Sequence, residues 1–251
     1  MTMSDVVFNT YSRYYDLLYR DKDYIAEAEY IVGVLERFGI SGKHLLEFGS
    51  GTGKHGRLLA KRGYEITGIE RSAEMVAQAE STPGFSCQQG DICTVQLGKT
   101  FDGVLSLFHV VSYLTTNDTV QMVFARAAEH LEAGGLFVFD VWYSPAVYAQ
   151  KPEVRVKRMA DEEIEITRIA DPVLHSNENR VDVNYTIFAR DLANGTVETM
   201  TETHPMRHFS FPELDLLAQM SGFAVVGAEE FLTGNKPSEE TWGICFITRK
   251  L

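Results

Sequence analysis

The chain has 251 residues, of which 45% are hydrophobic and 23% charged, a composition typical of a globular protein with a substantial core. Its net charge of −12, without a run of more than two Lys or Arg residues, disfavours nucleic acid and anionic membrane surfaces as partners. Three cysteines without a CxxC pair predict neither a disulfide framework nor a zinc site, and they fit a reducing cytoplasm. The composition therefore favours a cytoplasmic protein that binds a small molecule and does not insert in a membrane.

The first part of the chain alternates between helical and strand periodicity. Helices are predicted at residues 23–38, 54–62, 73–80 and 119–131. Strands are predicted at residues 44–48, 65–70, 85–89, 101–107 and 136–141. Nearly continuous apolar strands joined by amphipathic helices are typical of a parallel sheet covered on both faces.

Beyond Pro145 apolar and polar residues alternate, with turn signals at Ser176-Asn177 and Asn194-Gly195. This pattern predicts antiparallel strands with one solvated face. A helix then resumes at Phe211, and two further strands follow, the last at residues 242–248. We therefore expect three parts: a lid and core at 1–145, an antiparallel insertion at 146–208, and a C-terminal completion of the core at 209–251. Because a bare strand edge promotes aggregation, the insertion is expected to cover the substrate, to pair two copies into a homodimer, or both.

A turn rich in glycine follows the first predicted strand, where the sequence reads Glu47-Phe48-Gly49-Ser50-Gly51-Thr52-Gly53. Glycines permit a positive φ and let a ligand approach the backbone, and the following helix offers unpaired N–H groups. The segment therefore predicts a bound ligand.

Three classes of ligand compete for this turn. A phosphate loop of the Walker type is excluded because Gly53-Lys54 is followed by His55 rather than Ser or Thr. A dinucleotide site is compatible with residues 51–56, and Glu70 lies near the spacing of about 20 residues expected for a ribose-binding carboxylate. Glu47 places a carboxylate beside the turn, which favours a cationic ligand over pyrophosphate, although NAD stays an alternative.

Five segments, in order and spacing, resemble the signatures of the class I S-adenosylmethionine-dependent methyltransferases. They are residues 47–53, 68–75, 89–92, 101–104 and 131–135. The resemblance covers about residues 43–140 and implies an α/β fold with a Rossmann-like seven-stranded sheet, whose last strand runs antiparallel. In this chain the sheet would also carry the antiparallel β insertion. It implies S-adenosyl-L-methionine as the cofactor.

The same resemblance implies roles for individual residues. Glu70 would hold the ribose hydroxyls and Asp91 the adenine amino group, while Glu47 and the three glycines would face the methionine portion. Ile92 and Met75 would contact the adenine faces, and Arg71 and Leu107 complete the predicted donor-binding set.

Residues 11–19 and 22–29 are similar to the lid of amino-sugar N-methyltransferases, which dimethylate nucleotide-linked amino sugars in macrolide pathways. By this similarity Tyr24 would bind the donor's carboxylate and Tyr19 would face the acceptor. Aromatic residues after the fourth and fifth strands are predicted to contact the acceptor, namely Phe108, Tyr113 and Trp142.

Methyl transfer from a sulfonium is an in-line displacement that needs positioning and exclusion of water more than strong acid catalysis. A neutral amine attacks unaided, whereas a hydroxyl needs a base, for which His109 is the candidate. His204 and His208 are separated by Pro205, and no metal site is predicted. We predict methyl transfer to N or O of a small polar acceptor such as an amino or nucleotide sugar. The alternatives are another small metabolite, an NAD-dependent oxidoreductase, and a non-catalytic binding protein.

Overall fold

The computed structural model describes residue 17 and residues 19–251, so most of the predicted lid motif at residues 11–19 lies outside the described residues. The helices are α1 (Tyr24–Arg37), α2 (Lys54–Lys61), α3 (Ala73–Gln78), α4 (Asn117–Glu129), α5 (Ser144–Gln150) and α6 (Phe211–Met220). The strands are β1 (His44–Phe48), β2 (Glu65–Glu70), β3 (Phe85–Gln89), β4 (Phe101–Ser106), β5 (Leu131–Tyr143), β6 (Arg155–Ala160), β7 (Ile164–His175), β8 (Arg180–Asp191), β9 (Val197–Phe209), β10 (Phe223–Glu230) and β11 (Gly243–Lys250).

Seven of these strands form the core sheet in the order β3-β2-β1-β4-β5-β11-β10. The first five are parallel, and β11 runs antiparallel to both β5 and β10. The predicted α/β fold, with its seven-stranded sheet and antiparallel last strand, is confirmed.

Apolar side chains cover both faces of this sheet, as the continuous apolar strands predict. On one face Phe124 of α4 is fully buried and packs edge-on against Phe137 and Phe139 of β5, with ring centroids 5.4 and 5.5 Å apart. On the other face Leu35 of α1 and Leu59 of α2 are buried against the strands. The carboxyl ends of the parallel strands are therefore held rigidly at one edge.

Strands β6–β9 form an antiparallel meander that continues the core sheet. The last of them, β9, pairs with the end of β5 in parallel register at Trp142↔His208 and Tyr143↔Phe209. One face carries a small apolar cluster that includes Ile166 and Ile187 and against which Tyr19 packs. The insertion is thus fixed to the core at the edge where the parallel strands end.

Several predicted boundaries are wrong for local reasons. The helix predicted at 119–131 ends at Glu129, because Leu131 already pairs with Phe101 and begins β5. The alternation expected directly after Pro145 is replaced by α5, since proline is accommodated in the first turn of a helix. In the part of the chain that the structure describes, no helix combines the length and apolarity needed to cross a membrane.

Candidate active site

The glycine turn lies at the carboxyl end of β1, and all three of its predicted glycines have a positive φ. Two of them are also required by packing. A Cβ on Gly49 would stand 2.6 Å from the Val110 side chain, and one on Gly53 would stand 2.4 Å from the Phe85 ring. Gly49 and Gly53 therefore allow neighbouring side chains to pack tightly against the turn, and they do not themselves leave space for a ligand.

Gly51 differs, because a Cβ there would meet nothing nearer than Met75 Sδ at 4.0 Å. Its N–H donates to Glu70 Oε2 at 2.9 Å, and Ser72 N–H donates to Glu70 Oε1 at 2.8 Å. Each carboxylate oxygen retains a further lone pair, as binding of a vicinal diol requires. Gly51, Glu70 and Met75 thus border an open cradle, and they fit the roles predicted for them.

Glu47 lies beneath the turn with 1% of its surface exposed, and its Oε2 has no hydrogen-bond partner among the described residues. Burial, followed by the nearby charge of Glu70, raises the pKa of Glu47 to about 8, although the Gly56 N–H partly offsets this. Near pH 7 the carboxyl is therefore mostly protonated until a cation reaches it. Burial therefore makes Glu47 mostly neutral where the sequence predicts a negative charge. A buried carboxyl oxygen without a partner fits the donor's amino group.

The other predicted donor residues are placed unequally. Asp91 is exposed after β3, and its Oδ1 accepts from the Cys93 N–H at 2.8 Å, while Ile92 is half-buried. Arg71 uses its backbone carbonyl to accept from Gln89. Leu107 is 2% exposed, and its side chain packs into the core.

Around Tyr24, at the start of α1, two cations come together. The Lys22 and Lys54 ammonium groups lie 4.6 and 5.1 Å from the centroid of the Tyr24 ring. His55 packs edge-on against the same ring and bonds Glu27 at 2.6 Å, while Lys22 forms an ion pair with Glu27. Burial opposes ionisation of Glu27, but His55 and Lys22 together lower its pKa. Two ammonium groups beside a tyrosine suit a carboxylate ligand, as predicted for Tyr24.

A strained turn follows β4. Phe108 and His109 both adopt the left-handed conformation, with φ of 66° and 61°, which costs about 1–2 kcal/mol for each non-glycine residue. Asp140, buried at the end of β5, accepts from the His109 N–H at 3.1 Å and lies 2.7 Å from His109 Nδ1. The distance between Nδ1 and Asp140 is that of an ion pair, but the two groups are not aligned for a hydrogen bond. Despite burial, His109 lowers the pKa of Asp140, so a carboxylate backs this imidazole.

Aromatic side chains adjoin this turn. Tyr19 packs edge-on against Phe108, with ring centroids 5.1 Å apart, and Lys22 lies 4.3 Å from the Phe108 centroid. The ring of Trp142 lies 6.4 Å from that of His109 and packs against Trp242. The structure therefore brings together the predicted acceptor residues Tyr19, Phe108 and Trp142 with His109.

Tyr113 lies near the insertion, where its hydroxyl is 2.9 Å from His204 Nδ1. His208 bonds the Ser144 hydroxyl at 2.8 Å instead, so the two histidines have separate partners. Among the described residues no group of three or more His, Cys, Asp or Glu side chains is arranged to hold a metal ion. The absence of a metal stays a prediction.

The sequence-based prediction missed three groups at this edge: Asp140, Lys22 and the pair of Glu27 with His55. Asp140 had a signal, since a lone acid inside an apolar strand requires a partner when buried. Lys22 and His55 flank predicted site residues in sequence, but only the folded chain shows that they meet.

The sheet topology discriminates between the two ligands that the glycine turn alone allows, S-adenosylmethionine and NAD. The dinucleotide fold has strand order 3-2-1-4-5-6 with parallel strands. Here β11 enters antiparallel between β5 and β10. This arrangement disfavours NAD.

Comparison with known proteins agrees with this geometry. Residues 45–135 match the model of a family described as a methyltransferase domain. The chain is 30% identical over 223 residues to the dTDP-3-amino-3,4,6-trideoxy-alpha-D-glucopyranose N,N-dimethyltransferase of Streptomyces venezuelae, covering 88% of this chain and 91% of the relative.

Two solved structures resemble the whole described fold. The crystal structure of Streptomyces venezuelae DesVI is 26% identical, with a TM-score of 0.79 and coverage of 100% of this chain and 99% of that one. CalS10 of Micromonospora echinaspora, an amino pentose methyltransferase solved with S-adenosylmethionine bound, is 23% identical, with a TM-score of 0.77 and 98% coverage of both chains. The second likeness concerns the fold alone.

Proposed function

Because the chain belongs to the S-adenosylmethionine-dependent methyltransferases, with S-adenosylmethionine as the cofactor, we propose that it methylates the amino group of a sugar carried on a nucleotide. The observation that carries this proposal is the contact between the two turns: the glycine turn that forms the donor cradle packs through Gly49 against Val110, which directly follows the strained residues Phe108 and His109. The substrate class is supported by the dimethyltransferase of Streptomyces venezuelae, which is similar along most of its length.

The donor supplies an electrophilic methyl carbon on a cationic sulfur. In the proposed arrangement Glu70 holds the ribose hydroxyls, Glu47 pairs with the amino group, and Lys22 and Tyr24 receive the carboxylate. Asp91 receives the adenine amino group. These residues orient the donor and contribute no proton to the transfer.

At the acceptor, the chain holds the nucleophilic nitrogen in line with the methyl carbon and excludes water, which accounts for most of the catalysis. Phe108, Tyr19 and Trp142 supply apolar walls, and their π faces also attract a cationic centre. His109, held by Asp140, accepts a proton from a protonated amine before attack. The same pair would serve as the base if the acceptor presented a hydroxyl.

Two experiments test the proposal. Calorimetry compares the binding of S-adenosylhomocysteine with that of NAD; micromolar binding of the former alone is expected. Turnover is then followed by mass spectrometry, using S-adenosylmethionine and a dTDP-linked 3-amino-deoxysugar, with its 3-hydroxy counterpart as the matched control. A mass gain of one or two methyl groups on the amine alone supports the proposal.

Other outcomes identify the alternatives. Methylation of the hydroxy sugar alone would contradict N-methylation and show that the protein is an O-methyltransferase. Donor binding with no methyl transfer to any amino or hydroxy sugar would contradict the sugar acceptor and favour a different metabolite or a non-catalytic binding protein. Binding of NAD without S-adenosylhomocysteine would contradict the cofactor itself.

We further propose that the insertion at residues 146–208 forms a homodimer contact and that the protein is cytoplasmic. Among the described strands, β6 pairs with β7 alone, and the nearby side chains of Val154 and Val156 are 59% and 55% exposed. An open edge with exposed β-branched residues is usually protected by pairing. Sedimentation that gives a monomer mass at every concentration would contradict the dimer.

A further inference from the structure

A hydrogen-bonded chain of three side chains connects the core with the insertion. The Tyr113 hydroxyl lies 2.9 Å from His204 Nδ1, and His204 Nε2 lies 3.2 Å from Glu202 Oε2. The His204 and Glu202 side chains are only 3% and 6% exposed. Tyr113 comes from the short helical turn Val110–Tyr113 after β4, whereas the other two belong to β9. These hydrogen bonds therefore link the turn after β4 to the insertion.

The chemistry of the partners fixes the direction of this chain. A carboxylate oxygen is an acceptor, so the tautomer of His204 that satisfies both neighbours carries its proton on Nε2 and donates it to Glu202. His204 Nδ1 is then the acceptor, and the Tyr113 hydroxyl donates to it. With that hydrogen directed at His204, the Tyr113 oxygen keeps the chemical capacity to accept a hydrogen bond. Burial raises the pKa of Tyr113 well above its ordinary value, so the phenol keeps its proton at neutral pH.

Tyr113 is close to the predicted site of methyl transfer. The turn that it ends begins directly after the strained residues Phe108 and His109. Tyr19, whose ring contacts Phe108, also lies close enough to Tyr113 to affect its ionisation, as do Tyr185 and Arg168 from the insertion. Tyr113 and the predicted acceptor residue Trp142 also pack against the same apolar cluster, which places the Tyr113 side chain beside the predicted acceptor site.

We propose that Tyr113 is a catalytic residue that hydrogen-bonds the acceptor nitrogen and takes its proton after methyl transfer, with His204 and Glu202 as positioning residues behind it. The inference deepens the proposed function and rests on it. It differs from the role of His109, which acts on the amine before attack.

The proton transfer balances without any further reagent. As the new N–C bond forms, the C–S bond of the donor breaks and its electron pair stays on sulfur, which leaves an ammonium on the acceptor. The ammonium then passes one proton to the Tyr113 oxygen, while the Tyr113 proton moves to His204 Nδ1. Glu202 stabilises the resulting imidazolium until the proton reaches solvent. The amine is thereby neutral again, as a second methylation requires.

Three variants of the full-length protein separate these roles. Tyr113→Phe removes only the hydroxyl, and we expect the acceptor KM to rise about fivefold, the worth of one hydrogen bond, with a fall in kcat of about tenfold or more. Glu202→Gln can still accept from His204 but cannot stabilise an imidazolium, so kcat should fall with KM unchanged. Glu202→Asp should recover part of the lost rate.

A matched control is present in the same insertion. At the end of β7, His175 Nε2 lies 2.9 Å from the carboxylate of Asp182 in β8, which makes another pair of histidine and carboxylate. His175→Gln is expected to leave kcat and KM unchanged. Binding of S-adenosylhomocysteine and the melting temperature should stay near the wild-type values in Tyr113→Phe and Glu202→Gln.

The outcomes distinguish this inference from the proposed function. Turnover by the wild type with kcat and KM unchanged in both variants would overturn the inference and leave the function intact. Parallel losses of melting temperature and donor affinity would show a structural role only and would also overturn it. No methyl transfer by the wild type to any amino sugar would remove the proposed function and this inference with it.

Discussion

Burial of Glu47 makes donor binding depend on pH. The donor's ammonium pairs with the carboxylate form, whereas the free protein holds Glu47 mostly protonated near pH 7, since its pKa is about 8. Binding must therefore expel a proton. The informative perturbation is Glu47→Gln, which keeps the shape of the side chain and removes its ionisation.

The magnitude follows from this pKa. Ionising Glu47 at pH 7 costs about 1.4 kcal/mol, which weakens donor binding about tenfold relative to the fully ionised protein. At pH 6 the loss is about a hundredfold. We therefore expect the affinity for S-adenosylhomocysteine to rise about tenfold per pH unit up to about pH 8 and then to level off.

Isothermal titration calorimetry from pH 6 to pH 9 checks this expectation. The ratio of wild-type to Glu47→Gln affinity cancels the titration of the ligand's own groups. Repeating the titration in buffers of different ionisation enthalpy measures the proton released on binding. A ratio that is flat across this range, with no proton released at pH 7, would refute the reasoning.

Ionisation of Glu47 has the opposite effect on folding stability, which falls with rising pH while donor affinity rises. Its pKa in the folded protein lies above the ordinary value of 4.5, so the folded state binds a proton that the unfolded state releases. Stability is therefore lost as pH rises from about 4.5 to about 8, at up to about 1.4 kcal/mol per pH unit. The melting temperature of Glu47→Gln should accordingly exceed that of the wild type by a margin that grows with pH and becomes constant above about pH 8.

Four further substitutions test the site and the core. Gly51→Ala and Gly134→Ala both place a Cβ at a positive φ, of 54° and 86°, and each should lower the free energy of unfolding by about 1–2 kcal/mol in denaturant. Only Gly51→Ala should also weaken the binding of S-adenosylhomocysteine in calorimetry. Equal donor affinities of the two variants would contradict the cradle. Asp140→Asn should lower kcat about 10²-fold while donor affinity changes little, and an unchanged rate would exclude His109 as the base. Phe124→Ala, at a fully buried ring, should cost about 3–5 kcal/mol of unfolding free energy without changing acceptor KM, and a loss below about 1 kcal/mol would contradict tight packing there.

The donor half of the site is predictable because it is local in sequence. A buried strand that ends in the segment 47–53 places glycines, a helix N-terminus and Glu47 together whatever surrounds them. Glu70 follows by the same geometry at the end of the next strand. The register of the parallel strands then brings these ends to one edge, as the structure has them.

Other features depend on contacts between distant segments. Whether Gly49 and Gly53 are required by a ligand or by packing is decided by Val110 and Phe85, which lie far from them in sequence. The ionisation of Glu47 is likewise set by burial, which no spacing rule reveals. The sequence pattern therefore identifies the residues of this turn, whereas tertiary contacts determine the ionisation of Glu47 and the requirement for glycine at two positions.

The acceptor half is harder still, because it joins β4, β5 and the insertion. The alternation along β9 marks one solvated face, so a sequence-based reading treats Glu202 as a surface residue. Because β9 pairs with the end of β5 and contacts Tyr113 through His204, the Glu202 side chain is instead buried behind His204. A buried carboxylate without a partner would be costly, and the hydrogen bond to His204 meets that requirement while placing Tyr113.

This division has a consequence for specificity. Donor residues lie on strands fixed by the core, so changes on the inner face of the insertion should alter the acceptor without altering donor affinity. Phe108 and His109 are the exception, since their strained conformation is stabilised by Asp140 of the core sheet and contacted by Tyr19 from the N-terminal segment. A substitution that relaxes this turn should therefore affect both halves, which makes the turn the point where donor and acceptor binding are coupled.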